Sequence, residues 1–124
     1  MVYLDTHVVV WLYAGMVDRV SDAARSLMEK QALLVSPIVH LELQYLRETG
    51  RITVDGSLVL ASLRQTIGLE ICDQPFALVV AESVGQSWTR DPFDRLIVAQ
   101  ATVRSAPLVT KDRTILERYR RAVW

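Results

Sequence analysis

Short apolar runs alternate with stretches of helical character along the whole chain, and this alternation leaves few folds open. Residues 2–4, 33–35, 69–72 and 107–110 read as strands of three or four residues, that at 33–35 buried. Between them lie segments long enough for helices, most with a start or stop signal. Residues 8–14 are apolar all round and halt at Gly15. Ser21 caps a helix to about Lys30, and Ser36-Pro37 opens another, with proline in the first position, that runs to Thr49 and ends at Gly50. Residues 55–67 close at Gly68, Gln74-Pro75 opens a helix to Val84 before Gly85, and residues 92–104 and about 113–120 complete the set. The closing Ala122-Val123-Trp124 can add an edge strand. Strands joined through helices require right-handed crossovers, so the expectation is a mostly parallel sheet with helices on both faces. With 124 residues the chain has room for one such domain, spanning 1–124, and not for two.

In a sheet of this kind ligands bind beyond the carboxyl ends of the strands. Asp5 ends the first strand, and Asp112 lies two residues beyond Leu108-Val109-Thr110, so both fall at that rim. Two further acids stand where burial is expected. In "PIVHLELQYLRETG", Ile38, Val39, Leu41, Leu43, Tyr45 and Leu46 form one broad apolar face, with Glu42 in its middle. A lone buried carboxylate costs several kcal/mol unless paired, so Glu42 calls either for a core arginine or for a metal. In "TRDPFDRLIVAQA", Asp91 before Pro92 is a natural N-cap. Asp94, three residues on, can complete a capping box, yet it shares its side of the helix with Ile97, Val98 and Ala101 and so points towards the rim. Carboxylates packed together repel and raise each other's pKa, and a divalent cation removes that penalty. Oxygen ligands without cysteine or paired histidine suit Mg²⁺ or Mn²⁺.

Composition excludes several classes. Hydrophobic residues make up 51 % of the chain, which marks a folded protein, and no apolar run approaches the roughly 20 residues of a membrane helix. The N-terminal run lacks a basic flank and is interrupted by Asp5, unlike a secretory signal, so a cytoplasmic protein with no membrane partner is expected. Cys72 is the single cysteine, which leaves no internal disulfide and no cysteine-based zinc site. The formal net charge is zero, but residues 85–124 carry eight Arg and Lys against four acids. Arg95, Lys111 and Arg113 of that stretch either contact phosphates or form a solvated charged face.

At these residues the chain resembles the PIN-domain ribonucleases, specifically the VapC-type toxins of bacterial toxin–antitoxin pairs. "VYLDTH", "SPIVHLELQYL", "RDPFDRLIVAQA" and "LVTKD" carry the resemblance in order along nearly the whole length, the third being the most specific. It implies a three-layer α/β/α sandwich and places the family's catalytic, metal-holding acids on Asp5, Glu42, Asp94 and Asp112. Thr6 and Thr110 match its hydroxyl positions near the metal, and Asp91 a frequent but less central acid. It further implies Mg²⁺- or Mn²⁺-supported RNA hydrolysis, a small antitoxin as partner and a homodimer.

Three rival readings fit less well. A phosphoreceiver wants an acidic pair after the first strand and an acceptor aspartate after a middle one, where this chain offers only Cys72-Asp73. A haloacid-dehalogenase-type phosphatase wants Asp-x-Asp where Asp5-Thr6-His7 stands. A degenerate PIN-like protein kept for binding alone would not need all four acids. Of the remaining side chains, His40 reads as surface, His7 lacks a partner pattern, and Trp11, Tyr13 and Tyr45 read as core or interface in preference to base-stacking platforms. Trp88 fits either reading.

Overall fold

The computed structural model describes residues 1–124. Five strands, β1 (Val2–Leu4), β2 (Leu33–Val35), β3 (Glu70–Ile71), β4 (Leu108–Val109) and β5 (Ala122–Val123), form one sheet in the order β3-β2-β1-β4-β5. Every neighbouring pair is parallel, with Tyr3 level with Leu34 on one side and Leu108 on the other. Parallel strands need covered faces, and Val2, Tyr3, Leu4, Val35, Leu108 and Val109 are at most 1 % exposed. The expected three-layer α/β/α sandwich is therefore realised, and the C-terminal residues do form the edge strand.

The helices are α1 (Thr6–Tyr13), α2 (Asp22–Lys30), α3 (Ile38–Glu48), α4 (Gly56–Ile67), α5 (Phe76–Val84), α6 (Pro92–Val103) and α7 (Arg113–Arg118), with a 3₁₀ turn at Val17–Arg19. Right-handed crossovers put the helices of the β1–β2 and β2–β3 connections on one face and those of the β3–β4 and β4–β5 connections on the other. Packing of α3 on α4 is close: a Cβ added at Gly56 would lie 2.8 Å from the Cβ of Leu43. No helix is long and apolar enough to cross a membrane.

One local expectation changes. Leu41 and Tyr45 do not belong to the buried side of α3; they are 44 % and 49 % exposed, while Val39, Leu43 and Leu46 carry the packing. The apolar arc of this helix is wider than the surface its neighbours cover. Likewise α5 is apolar almost throughout, yet only Val79 is fully buried.

The chain runs outward from β1 through β2 to β3, then crosses back to β4 on the other side of β1. This reversal opens a crevice at the carboxyl ends of β1 and β4, where open α/β sheets bind their ligands.

Candidate active site

The crevice is a cleft of about 430 Å³ lined by Asp5, Glu42, Asp91, Asp94 and Asp112, together with His7, Trp11, Arg51 and Lys111. A groove of similar volume, about 420 Å³, lies between α4 and β3 but gathers only one carboxylate, Glu70. His40, expected at the surface, is exposed on that groove and lies outside the acidic cleft.

Each acid is held by its element. Asp5 leaves β1 in extended conformation and caps α1, accepting the Thr6 amide at 2.8 Å, while Thr110 at the end of β4 donates its hydroxyl to the second Asp5 oxygen at 2.6 Å. Thr6 in turn donates its hydroxyl to Glu42, joining α1 to α3. Asp5, Thr6 and Thr110 are 6 %, 0 % and 0 % exposed, so these bonds are shielded from water. Asp112 caps α7 through the Ile115 amide at 2.9 Å, and its own N–H donates to the Thr110 hydroxyl at 3.0 Å. Asp91 accepts the amides of Phe93 and Asp94 at 2.8 and 3.3 Å, a cap as expected, and faces the cleft as well. The Asp94 side chain accepts no hydrogen bond that completes a capping box; it projects half-buried into the cleft.

No acid of the group is held in an ion pair. The four ion pairs of the chain, Arg25–Asp22, Arg47–Asp55, Arg64–Glu70 and Arg104–Asp73, all lie elsewhere. The core arginine considered for Glu42 is therefore absent. Burial, followed by the charges of Asp91, Asp5, Asp112 and Glu42, pushes Asp94 up to about 7. Burial also raises Asp5, against the hydrogen bond from Thr110, and raises Glu42, against the hydrogen bond from Thr6. The cleft thus holds negative charge under strain, the condition a cation relieves.

The donor set suits a hard divalent ion: five carboxylates, two threonine hydroxyls and no thiol. No three of the chain's His, Cys, Asp or Glu side chains stand close enough together to hold a metal ion as a ready-made cluster. Mg²⁺ takes only one or two carboxylates directly and keeps several waters.

Arg95 departs from the expectation. Its guanidinium donates to the carbonyls of Ser83 at 3.1 Å, Val84 at 3.0 Å and Thr89 at 3.4 Å, closing the end of α5, so it is not available to phosphates. Lys111 lines the cleft, and Arg113 is exposed at the start of α7. Three cleft residues carried no sequence signal strong enough to single them out. Arg51 is thrown towards the site by the left-handed turn at Gly50 (φ 76°). His7 and Trp11 stand one helical turn apart on α1, a spacing that could have shown a shared direction. Trp88 lies outside, half-buried, its indole N–H on Gln86.

Comparison with known proteins agrees with this geometry. The PIN domain family model matches residues 2–122. The chain is 36 % identical over 121 residues to Ribonuclease VapC22 of Mycobacterium tuberculosis, covering 92 % of this chain and 88 % of that one. Two solved structures share the fold. A toxin–antitoxin complex from Klebsiella pneumoniae aligns with TM-score 0.69 and 16 % identity over 100 % of this chain and 97 % of that one. VapBC2 from Rickettsia felis, bound to a DNA fragment from its promoter, aligns with TM-score 0.62 and 22 % identity over 94 % and 92 %. The chain belongs to the PIN-domain family.

Proposed function

We propose that the protein is a divalent-metal-dependent endoribonuclease that acts as the toxin of a toxin–antitoxin pair. The observation that carries this reading is the cleft itself: five carboxylates without a single ion-pair partner, at the topological switch point of a PIN domain whose 36 %-identical relative is named a ribonuclease. Asp5, Glu42, Asp94 and Asp112 would hold Mg²⁺ or Mn²⁺, directly or through water, with Asp91 adding charge behind them. When bound, the metal supplies positive charge to the phosphodiester and lowers the pKa of attacking water.

The protein's own groups do the positioning. The Thr6 amide and the Thr110 hydroxyl each take one oxygen of Asp5, and the Thr6 hydroxyl takes one oxygen of Glu42, so both carboxylates are fixed in place. The α7 amide does the same for Asp112. Asp94 sits in the first turn of α6, where the helix dipole favours its charged form as the cation approaches. Lys111 and Arg51 are the cleft's two long cations and can reach phosphates on either side of the scissile bond, with Arg113 exposed beyond them. The reading includes a small protein antitoxin that closes this cleft and a homodimer of the toxin.

Purified protein incubated with unstructured RNA should cleave it with Mg²⁺ or Mn²⁺, and EDTA should stop the reaction. Asp94→Asn and Glu42→Gln should each remove cleavage while the protein stays folded. Unaltered cleavage in EDTA, or by either variant, contradicts the metal site.

A further inference from the structure

The sheet places an aromatic pair beside the acids. Because β5 runs parallel to β4, with Leu108 level with Ala122 and Val109 with Val123, the chain leaves both strands at the same rim. Lys111 emerges from β4 and Trp124 from β5, and the Thr110 amide still donates to the Val123 carbonyl at 3.1 Å. Trp11 comes to the same place from α1. The Trp11 and Trp124 rings are 5.7 Å apart and tilted by 58°, and the Lys111 ammonium is 5.9 Å from the centre of each. His7, one turn before Trp11, continues the strip, its ring 6.4 Å away. Both indoles are only half-buried. Trp11 and Lys111 line the acidic cleft, so the pair adjoins the carboxylates.

Charge makes this surface necessary if the ligand is RNA. The cleft sets five acids against two long cations, and the whole chain is neutral, so Coulomb attraction for a polyanion is weak. Stacking of unpaired bases on aromatic rings supplies affinity that depends neither on net charge nor on sequence. An ammonium held at cation–π distance by two indoles is also stationed where the phosphate of a stacked nucleotide would pass.

We propose that Trp11 and Trp124, with Lys111 shared between them, form a stacking subsite for an unpaired base of single-stranded RNA next to the acidic cleft. This rests on the ribonuclease reading above and assigns it a preference for unpaired RNA. Trp11, expected as core or interface, then serves both packing and recognition.

Trp124 is the residue to test, because Trp11 also packs against the core while Trp124 stands beyond the paired residues of β5. Binding is read by anisotropy of a labelled ten-nucleotide unstructured RNA and of a ten-unit abasic sugar–phosphate strand of equal charge, in Mg²⁺ and in the Asp94→Asn background to prevent turnover. Trp124→Leu should bind the RNA about 5- to 150-fold more weakly, the loss expected for one stacked base. Trp124→Phe should restore most of the affinity, and the abasic strand should bind the three proteins alike. If Trp124→Leu binds RNA as tightly as its parent, or loses RNA and abasic strand equally, the subsite is overturned while the nuclease reading stands. Loosened binding of a protein partner with RNA affinity unchanged would overturn it too, assigning the pair to a protein interface. Absence of RNA binding and RNA cleavage by the unsubstituted protein would overturn both readings.

Discussion

At the scale of single residues, the acids of the cleft repel one another to an extent that depends on pH. Asp94 is pushed up to about 7, by burial first and then by its acidic neighbours. Its unfolded value is about 3.8, so between these limits the native chain holds more protons than the unfolded chain. The sign follows: this contribution favours folding below about pH 4, falls away as pH rises, and is lost above about 7. Its span is at most about 4 kcal/mol. Asp5 and Glu42, raised in the same direction, add to the slope. In EDTA the melting temperature should therefore fall between about pH 4 and pH 7.5, and Asp94→Asn should make that fall shallower. In Mg²⁺ the slope of the parent should flatten, because the cation favours the carboxylate. Identical pH profiles for parent and Asp94→Asn in EDTA would mean that Asp94 titrates as an ordinary surface acid.

At the scale of elements, α6 shows both what the sequence displays and what it hides. Its boundaries, its Asp91 cap and the inward direction of Asp94 follow from capping chemistry and helical period, which are local. Arg95 reads from the sequence as either a phosphate contact or a solvated charge, but the next residue in a helix lies 100° further round, so it cannot share the direction of Asp94. It turns to α5 and takes up that helix's terminal carbonyls. Arg95→Met, which keeps the aliphatic stem, should lower stability by about 1–3 kcal/mol in denaturant melts through the loss of charged hydrogen bonds. RNA affinity and its salt dependence should stay as they are. A salt slope smaller by about 0.7, the value of one phosphate contact on a single strand, would place Arg95 on the substrate after all. The strands were legible because each is a short apolar run, although β3 pairs only over Glu70 and Ile71 where four residues were expected. Arg51 and Trp124 were not legible as site residues. Nothing local marks the residue after Gly50 as facing a cleft, or Trp124 as meeting Trp11 beside it; their positions are set by the α3–α4 turn and by the β4–β5 register.

At the scale of the whole molecule, the apolar surface left uncovered has a definite place. Phe76, Val80 and Val84 repeat every four residues along α5 and are 45 %, 42 % and 71 % exposed; Leu41 and Tyr45 repeat likewise on α3 at 44 % and 49 %. Helix α6 lies between the two stripes: Tyr45 meets its Phe93 edge-on at 5.2 Å, and α6 packs along α5. Glu82 is the only charged residue of α5, and it is partly buried, so this helix offers water a largely uncharged face. Monomeric proteins rarely leave a large apolar patch free, and the α5 stripe is the longer of the two. A second copy of the same chain is the simplest cover, because a two-fold axis makes one patch complementary to itself. Both members of such a pair would keep their acidic clefts, which lie at the strand ends of the sheet. The protein should therefore run as a dimer in light scattering at micromolar concentration. Val80→Lys places an ammonium in the middle of the face and should give a monomer. Its circular dichroism should remain native, since Val80 is exposed within the chain and packs no core. A Val80→Lys protein that stays dimeric would move the interface elsewhere, and a parent that is monomeric at high concentration would leave the face to the antitoxin.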